Sequence, residues 1–140
     1  MNPLFAAAME VQRFMEKNCW SFCFGAAFAL ENRVLLLKAS NTVAIDISLA
    51  ALPYEKTLIE RASVFDFAPG CPLRTCSAED LIVLKAFADR EKDRVDVTGI
   101  ILRQLEKLDR DYIQKQLRPL CEAKHRPDIV ARIQKLFKDA

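Results

Sequence analysis

The sequence predicts an α+β domain: short β-rich runs fill its first half, helical periodicity fills the chain after Ser77, and no repeat or flexible linker interrupts either part. At 140 residues, 51% of them hydrophobic, the chain can bury one substantial core and is too short for two ordinary ones. A single domain over 1–140 is expected, with a helix and sheet core over 1–76 and a helical part over 77–140.

From Leu4 to Lys17, apolar Leu4, Ala7, Ala8, Val11, Phe14 and Met15 recur at helical spacing, with Glu10, Arg13 and Lys17 opposite, so an amphipathic helix opens the chain. "WSFCF", Trp20 to Phe24, is short and aromatic and ends at Gly25, which predicts a buried strand with Trp20 in the core. Arg33–Ala39 and Thr42–Leu49 are two β-rich runs around Ser40-Asn41, the pattern of a hairpin. Pro53 then opens a helix through Ala62, with Glu55, Lys56, Glu60 and Arg61 on an exposed charged face. "SVFDFAPGCPLRT" reads as two extended pieces broken at Pro69-Gly70. Helical stretches follow to about Arg90, over Lys92–Leu108, over Asp111–Cys121 and over Pro127–Lys138.

The formal charge of +2 lacks the basic excess of a dedicated nucleic-acid binder. Five cysteines, an odd number mostly in apolar runs, suit reduced thiols in a cytoplasmic protein better than a disulfide framework. Cys121 and His125 have a ligand-like spacing, but a structural zinc site needs four ligands in pairs and no second pair stands out. The start carries acidic residues and no long apolar stretch, so no secretory signal is expected. The apolar run from Cys19 to Leu30 is far shorter than the roughly 20 residues of a membrane span.

Two charged residues stand out. Ser77 and Asp80 have the form of a capping box, so a helix should begin near Ala78 and Lys85 should lie inside its very apolar interior. In an unbroken helix Lys85, Asp89, Lys92 and Asp96 would share one stripe, either a solvated face of alternating charge or a lysine held over a phosphate by neighbouring acids. Asp46 is the one charge on the small polar face of "VAIDISLA", either a solvent-facing strand carboxylate or a metal ligand in want of partners.

"SAEDLIVLKAFADREKDRVDV", with the upstream "VAIDISLAALPYE" and "ASVFDFAPGCPLRTCS", resembles the bacterial nucleotidyltransferase-like proteins of the abortive-infection and type IV toxin–antitoxin group, from Val11 to roughly Tyr112. The resemblance implies a mixed sheet with a Gly-rich turn, an Asp-x-Asp pair that holds Mg²⁺, and a third carboxylate on a later strand. It further implies that Asp46 matches that third carboxylate, that Lys85 matches a lysine contacting the phosphates of a nucleoside triphosphate, that Asp93 and Asp96 match supporting acids, and that Gly25 is the remnant of the turn. The chain departs from the family between Gly25 and Val34, where Glu31 is the sole acid and no Asp-x-Asp is found. One carboxylate cannot clamp two metal ions. The expectation is therefore a truncated nucleotidyltransferase-type fold, a pseudoenzyme with at most residual Mg²⁺-dependent nucleotide binding and no confident catalytic residue. The alternative is a protein-interaction or oligomerisation module on the same fold, with a protein partner or a homodimer covering the apolar surface that the missing segment exposes. Two chains pooling residues into one site is a third reading, but no second carboxylate pair supports it.

Overall fold

The computed structural model describes residues 1–25 and 34–140 of the chain. Its internal contacts divide the protein into two compact units, Met1–Ser77 and Ala78–Ala140. The architecture is α+β, with an N-terminal helix, two small antiparallel sheets and a helical C-terminal half.

The first unit begins with helix α1, Pro3–Lys17. The Asn2 side chain accepts from the Leu4 N–H, and Pro3 occupies the first turn, where its missing donor is not needed. Gln12 is buried, and its amide donates to Pro72 O and accepts from Arg74 N, each at 2.9 Å, in place of a neighbouring strand. Strands β1, Val34–Lys38, and β2, Ala44–Ser48, pair antiparallel with Leu36 opposite Asp46. The turn between them is fixed by Thr42 in a left-handed conformation and by α1, whose Glu10 carboxylate accepts from Ser40 N at 3.0 Å. Helix α2, Pro53–Glu60, follows. Glu55 does not join the exposed charged face expected of it: it is buried, and its carboxylate accepts from Ala51 N and Leu52 N at 2.7 Å, satisfying donors ahead of the helix. Strands β3, Ser63–Asp66, and β4, Pro72–Thr75, form the second hairpin, turning at Gly70 with φ +75°.

The expected mixed sheet is thus corrected. Among the described residues the strands form two separate two-stranded antiparallel sheets, and the parallel pairing is a one-residue bridge from Phe24 to Thr75. Within "WSFCF" the extended pairing is that of Phe24, and Trp20 is 51% exposed instead of buried. The latter part of the apolar run, through Leu30, and the expected strand start at Arg33 lie outside the described residues.

The second unit is helical: α3 (Ala78–Ala88), α4 (Glu91–Gln104) with a 3-10 turn after it, α5 (Arg110–Ala123) and α6 (Pro127–Asp139). Helix α3 is apolar almost all round because α4, α5 and α6 pack about it. Ile82, Val83, Ile101, Ile113, Leu117 and Ile129 are at most 1% exposed and form the core. The buried Asp80 accepts from the Tyr112 hydroxyl at 2.7 Å, and Asp109 caps α5 through Tyr112 N at 2.9 Å. No helix among the described residues is long and apolar enough to cross a membrane.

Candidate functional site

The charged residues singled out in the sequence around Lys85 come together at the corner between α3 and α4. Helix α3 stops at Ala88, and Asp89 adopts φ +56° while its N–H still bonds to Lys85 O at 3.0 Å, the single-bond helix stop with a left-handed residue. Aspartate tolerates that conformation better than most side chains. Helix α4 restarts at Glu91 after this break, so the stripe of an unbroken helix does not form.

The corner makes two ion clusters. In the first, Asp93 is fully buried, and its carboxylate accepts from Lys85 Nζ at 3.2 Å and from Arg90 at 2.6 and 3.2 Å. Lys85, its side chain 18% exposed, also donates from Nζ to Asp96 at 2.6 Å. In the second, Asp89, 4% exposed, accepts from Arg94 at 2.9 and 3.2 Å, from Arg126 at 2.9 Å and from Arg132. Arg126 is shared with Asp128 at 2.8 Å, so α3, α4 and α6 are laced together by charge. Five cations face four carboxylates across the two clusters, so every one of these cations already has a carboxylate partner within the unit.

The protonation chemistry follows. Burial raises the carboxyl pKa of Asp93, but the hydrogen bonds from Arg90 and Lys85 outweigh it and hold Asp93 below the usual carboxylate range. Asp89 behaves alike: burial opposes ionisation, and Arg94, Arg132 and Arg126 together more than reverse it. For Lys85, burial pushes the pKa down, whereas Asp96 and Asp93 push it up and prevail. Each group is locked in its charged form by a partner inside the same unit. A lysine so held is a poor reserve for a phosphate, since any ligand must outbid two carboxylates, one of them buried.

Lys85, Asp93 and Asp96 are therefore brought together, within the second unit. Asp46 belongs to the first unit, exposed on β2, and Gly25 is an exposed residue just after the Phe24 bridge. Mg²⁺ is held by oxygen ligands, usually with more than one carboxylate or with substrate phosphates. Among the described residues no three His, Cys, Asp or Glu side chains are grouped to hold a metal ion, so the donor set at Asp46 does not fit the group that the resemblance implies. Cys121 is fully buried, its thiol pushed up to about 11 by burial, and His125 is exposed at the end of α5, with φ +56°.

Sequence reading missed the roles of Asp89, Arg90, Arg126 and Arg132. The signal was present as charge density, "DREKDR" from Asp89 to Arg94, but the arginines that complete the pairing of Asp89 are Arg126, which caps α6, and Arg132 within it, more than 35 residues away. Compared with models of known protein families and with curated proteins, the sequence matches none.

Proposed function

We propose that this chain is a nucleotidyltransferase-like protein without metal-dependent transfer chemistry, and that it works as an oligomerisation module whose occupant is a second copy of itself. The observation that carries this reading is β1. Val34, Leu35, Leu36 and Leu37 are 36, 44, 77 and 46% exposed in a sheet that has two strands among the described residues. A hairpin alone is marginal in water, and an apolar strand open along its length is a template for pairing with another chain. The strand's single charge, Lys38, lies at its end, so two copies related by a twofold axis meet leucine against leucine with no like charges opposed at the centre. Support for the absence of transfer comes from the lone carboxylate of Asp46 and from the engagement of Lys85 by Asp93 and Asp96.

Sedimentation over a range of protein concentrations tests self-association. A concentration-dependent dimer that Leu36→Lys converts to monomer, with helix ellipticity retained, is the expected result; a monomer at every concentration overturns the module. The chemistry has its own test in thermal melts with each ribonucleoside triphosphate, with and without Mg²⁺. A ligand that binds the folded state alone raises stability by RT ln(1 + [L]/Kd), so even a weak site registers at high ligand concentration. No Mg²⁺-dependent rise is expected, and one that Asp46→Ala abolishes would restore the nucleotide-binding reading.

A further inference from the structure

The first unit contains a cleft of about 550 Å³ whose walls include Trp20, Phe22, Lys56, Ile59, Glu60 and Arg74. Pockets of about 300–1,000 Å³ suit small molecules. We infer that this cleft binds a small anion that carries a planar ring, the oxyanion on the Arg74 guanidinium and the ring against Trp20.

Both groups are placed by backbone structure. Beyond α1, Cys19 takes φ +55°, Cys19 N bonds to Glu16 O at 3.1 Å and Trp20 N to Met15 O at 3.0 Å, the paired bonds of a Schellman stop. The residue delivered by that stop is Trp20, half exposed and braced edge-to-face by Phe14, with ring centroids 5.7 Å apart. A half-exposed indole fixed in this way is a stacking surface for another ring. Arg74 stands on β4, its N–H held by Gln12 and its carbonyl by Phe24 N at 2.8 Å, so its side chain springs from a fixed base.

What marks Arg74 is its poverty of partners. Its guanidinium, part-buried, has one hydrogen bond, Nη2 to Ile59 O at 3.4 Å, and no carboxylate among the described residues pairs with it. In the second unit Arg90, Arg94, Arg126 and Arg132 each meet a carboxylate, and the arginines there that meet none, Arg103, Arg110 and Arg118, are exposed, unlike the part-buried Arg74. A guanidinium offers five N–H donors in a planar fork that matches a carboxylate or phosphate edge. In the cleft the second cation is Lys56, 81% exposed, and its attachment to Glu60 is slack at 3.9 Å. Glu60 keeps the cleft from being a general anion sink and favours a ligand whose charge is concentrated at one end.

Trp20 is the chain's one tryptophan, so its fluorescence reports this cleft directly. The purified protein would be titrated, without divalent metal, with phenyl phosphate, benzoate, adenosine monophosphate and inorganic phosphate. Saturable quenching by phenyl phosphate or adenosine monophosphate assigns the oxyanion as a phosphate, and quenching by benzoate alone assigns it as a carboxylate. Arg74→Met should weaken binding about tenfold or more, and Arg74→Lys, which keeps the charge but loses the fork, should weaken it less. Lys85→Ala should leave the titration unchanged, which separates this site from the α3–α4 corner. The absence of saturable quenching with every ring-bearing anion overturns the inference, as does an unchanged affinity in the folded Arg74→Met variant. Should that variant fail to fold, an unchanged affinity in Arg74→Lys overturns the guanidinium assignment. Equal binding of inorganic phosphate and phenyl phosphate overturns the ring.

Discussion

The two units of this chain solve the same burial problem with opposite success. In Ala78–Ala140 lie ten of the eleven largest side chains with under 2% exposure, whereas Met1–Ser77 carries twelve of the fourteen exposed large hydrophobics among the described residues. The cause is geometric. A helix satisfies its own backbone and needs only its apolar stripe covered, so three helices around α3 suffice. A two-stranded sheet leaves two edges and two faces, and Leu36 and Phe65 on the two hairpins are 77 and 59% exposed. Charge follows the same division, with buried and multiply paired aspartates in the helical unit and an underused arginine in the other. The difference teaches that the helical unit's conspicuous charges satisfy one another, whereas the open apolar surface and the sparsely bonded arginine lie in the first unit.

The contrast breaks most visibly at Asp93. Asp93→Ala removes the partner of both Lys85 and Arg90 and should lower stability by about 2–3 kcal/mol, less than the roughly 3–5 of a fully enclosed pair because Arg90 is half exposed and can rehydrate. Lys56→Ala, which removes the pair with Glu60 at the surface of α2, should leave stability unchanged. Urea unfolding followed by helix ellipticity measures both. Equal effects would mean that the buried and exposed pairs are equivalent and that the comparison fails.

Acid should reveal the same network. Asp93 and Asp89 have folded pKa values below the ordinary one, so their stabilisation is complete above the unfolded value of about 3.9 and is lost as pH falls through the lower folded values. Lys85 has the opposite sense: its raised folded pKa gives stabilisation present below its ordinary value, 10.5, and lost as pH rises through the folded one. Urea midpoints measured from neutral pH down to about pH 2 should therefore fall steeply below about pH 4, and Asp93→Asn should flatten that fall. A variant with an undiminished acid limb would assign it elsewhere.

Much of the fold was legible because its signals are local. The hairpin strands lie within the runs read from Arg33 to Ala39 and Thr42 to Leu49, and Pro53 and Pro127 each open a helix. The misreadings share one physical reason, that the deciding partner is distant or the punctuation is atypical. Glu55 has the pattern of a surface residue until its carboxylate is seen to reach back to Ala51 and Leu52. Trp20 carries the hydrophobicity of a core residue, but the left-handed Cys19 before it sets its course. The corner at Asp89 contains neither glycine nor proline, so spacing alone could not show that Lys85 would meet Asp93 and Asp96 and that Asp89 would turn to the arginines of α4 and α6. The candidate site was legible as a set of residues and illegible as a set of partners.

The smallest expected effect tests whether the two units share a local rule in spite of their different cores. His125 ends α5 as Cys19 ends α1: φ is +56°, His125 N bonds to Glu122 O at 3.0 Å, and Arg126 N bonds to Cys121 O at 2.8 Å. Both are left-handed positions that usually take glycine, and a residue with a Cβ gives up about 1–2 kcal/mol there. Glycine also loses more chain entropy on folding, which takes back part of the gain. His125→Gly and Cys19→Gly should each stabilise the protein by about 0.5–1 kcal/mol in urea unfolding. Equal gains would show that the helix stops are governed by backbone sterics alone, whatever the quality of the core beneath them. A gain at His125 with a loss at Cys19 would mean that the side chain of Cys19 holds the Trp20 turn in place, and that the less well packed unit depends on contacts the better packed one can do without.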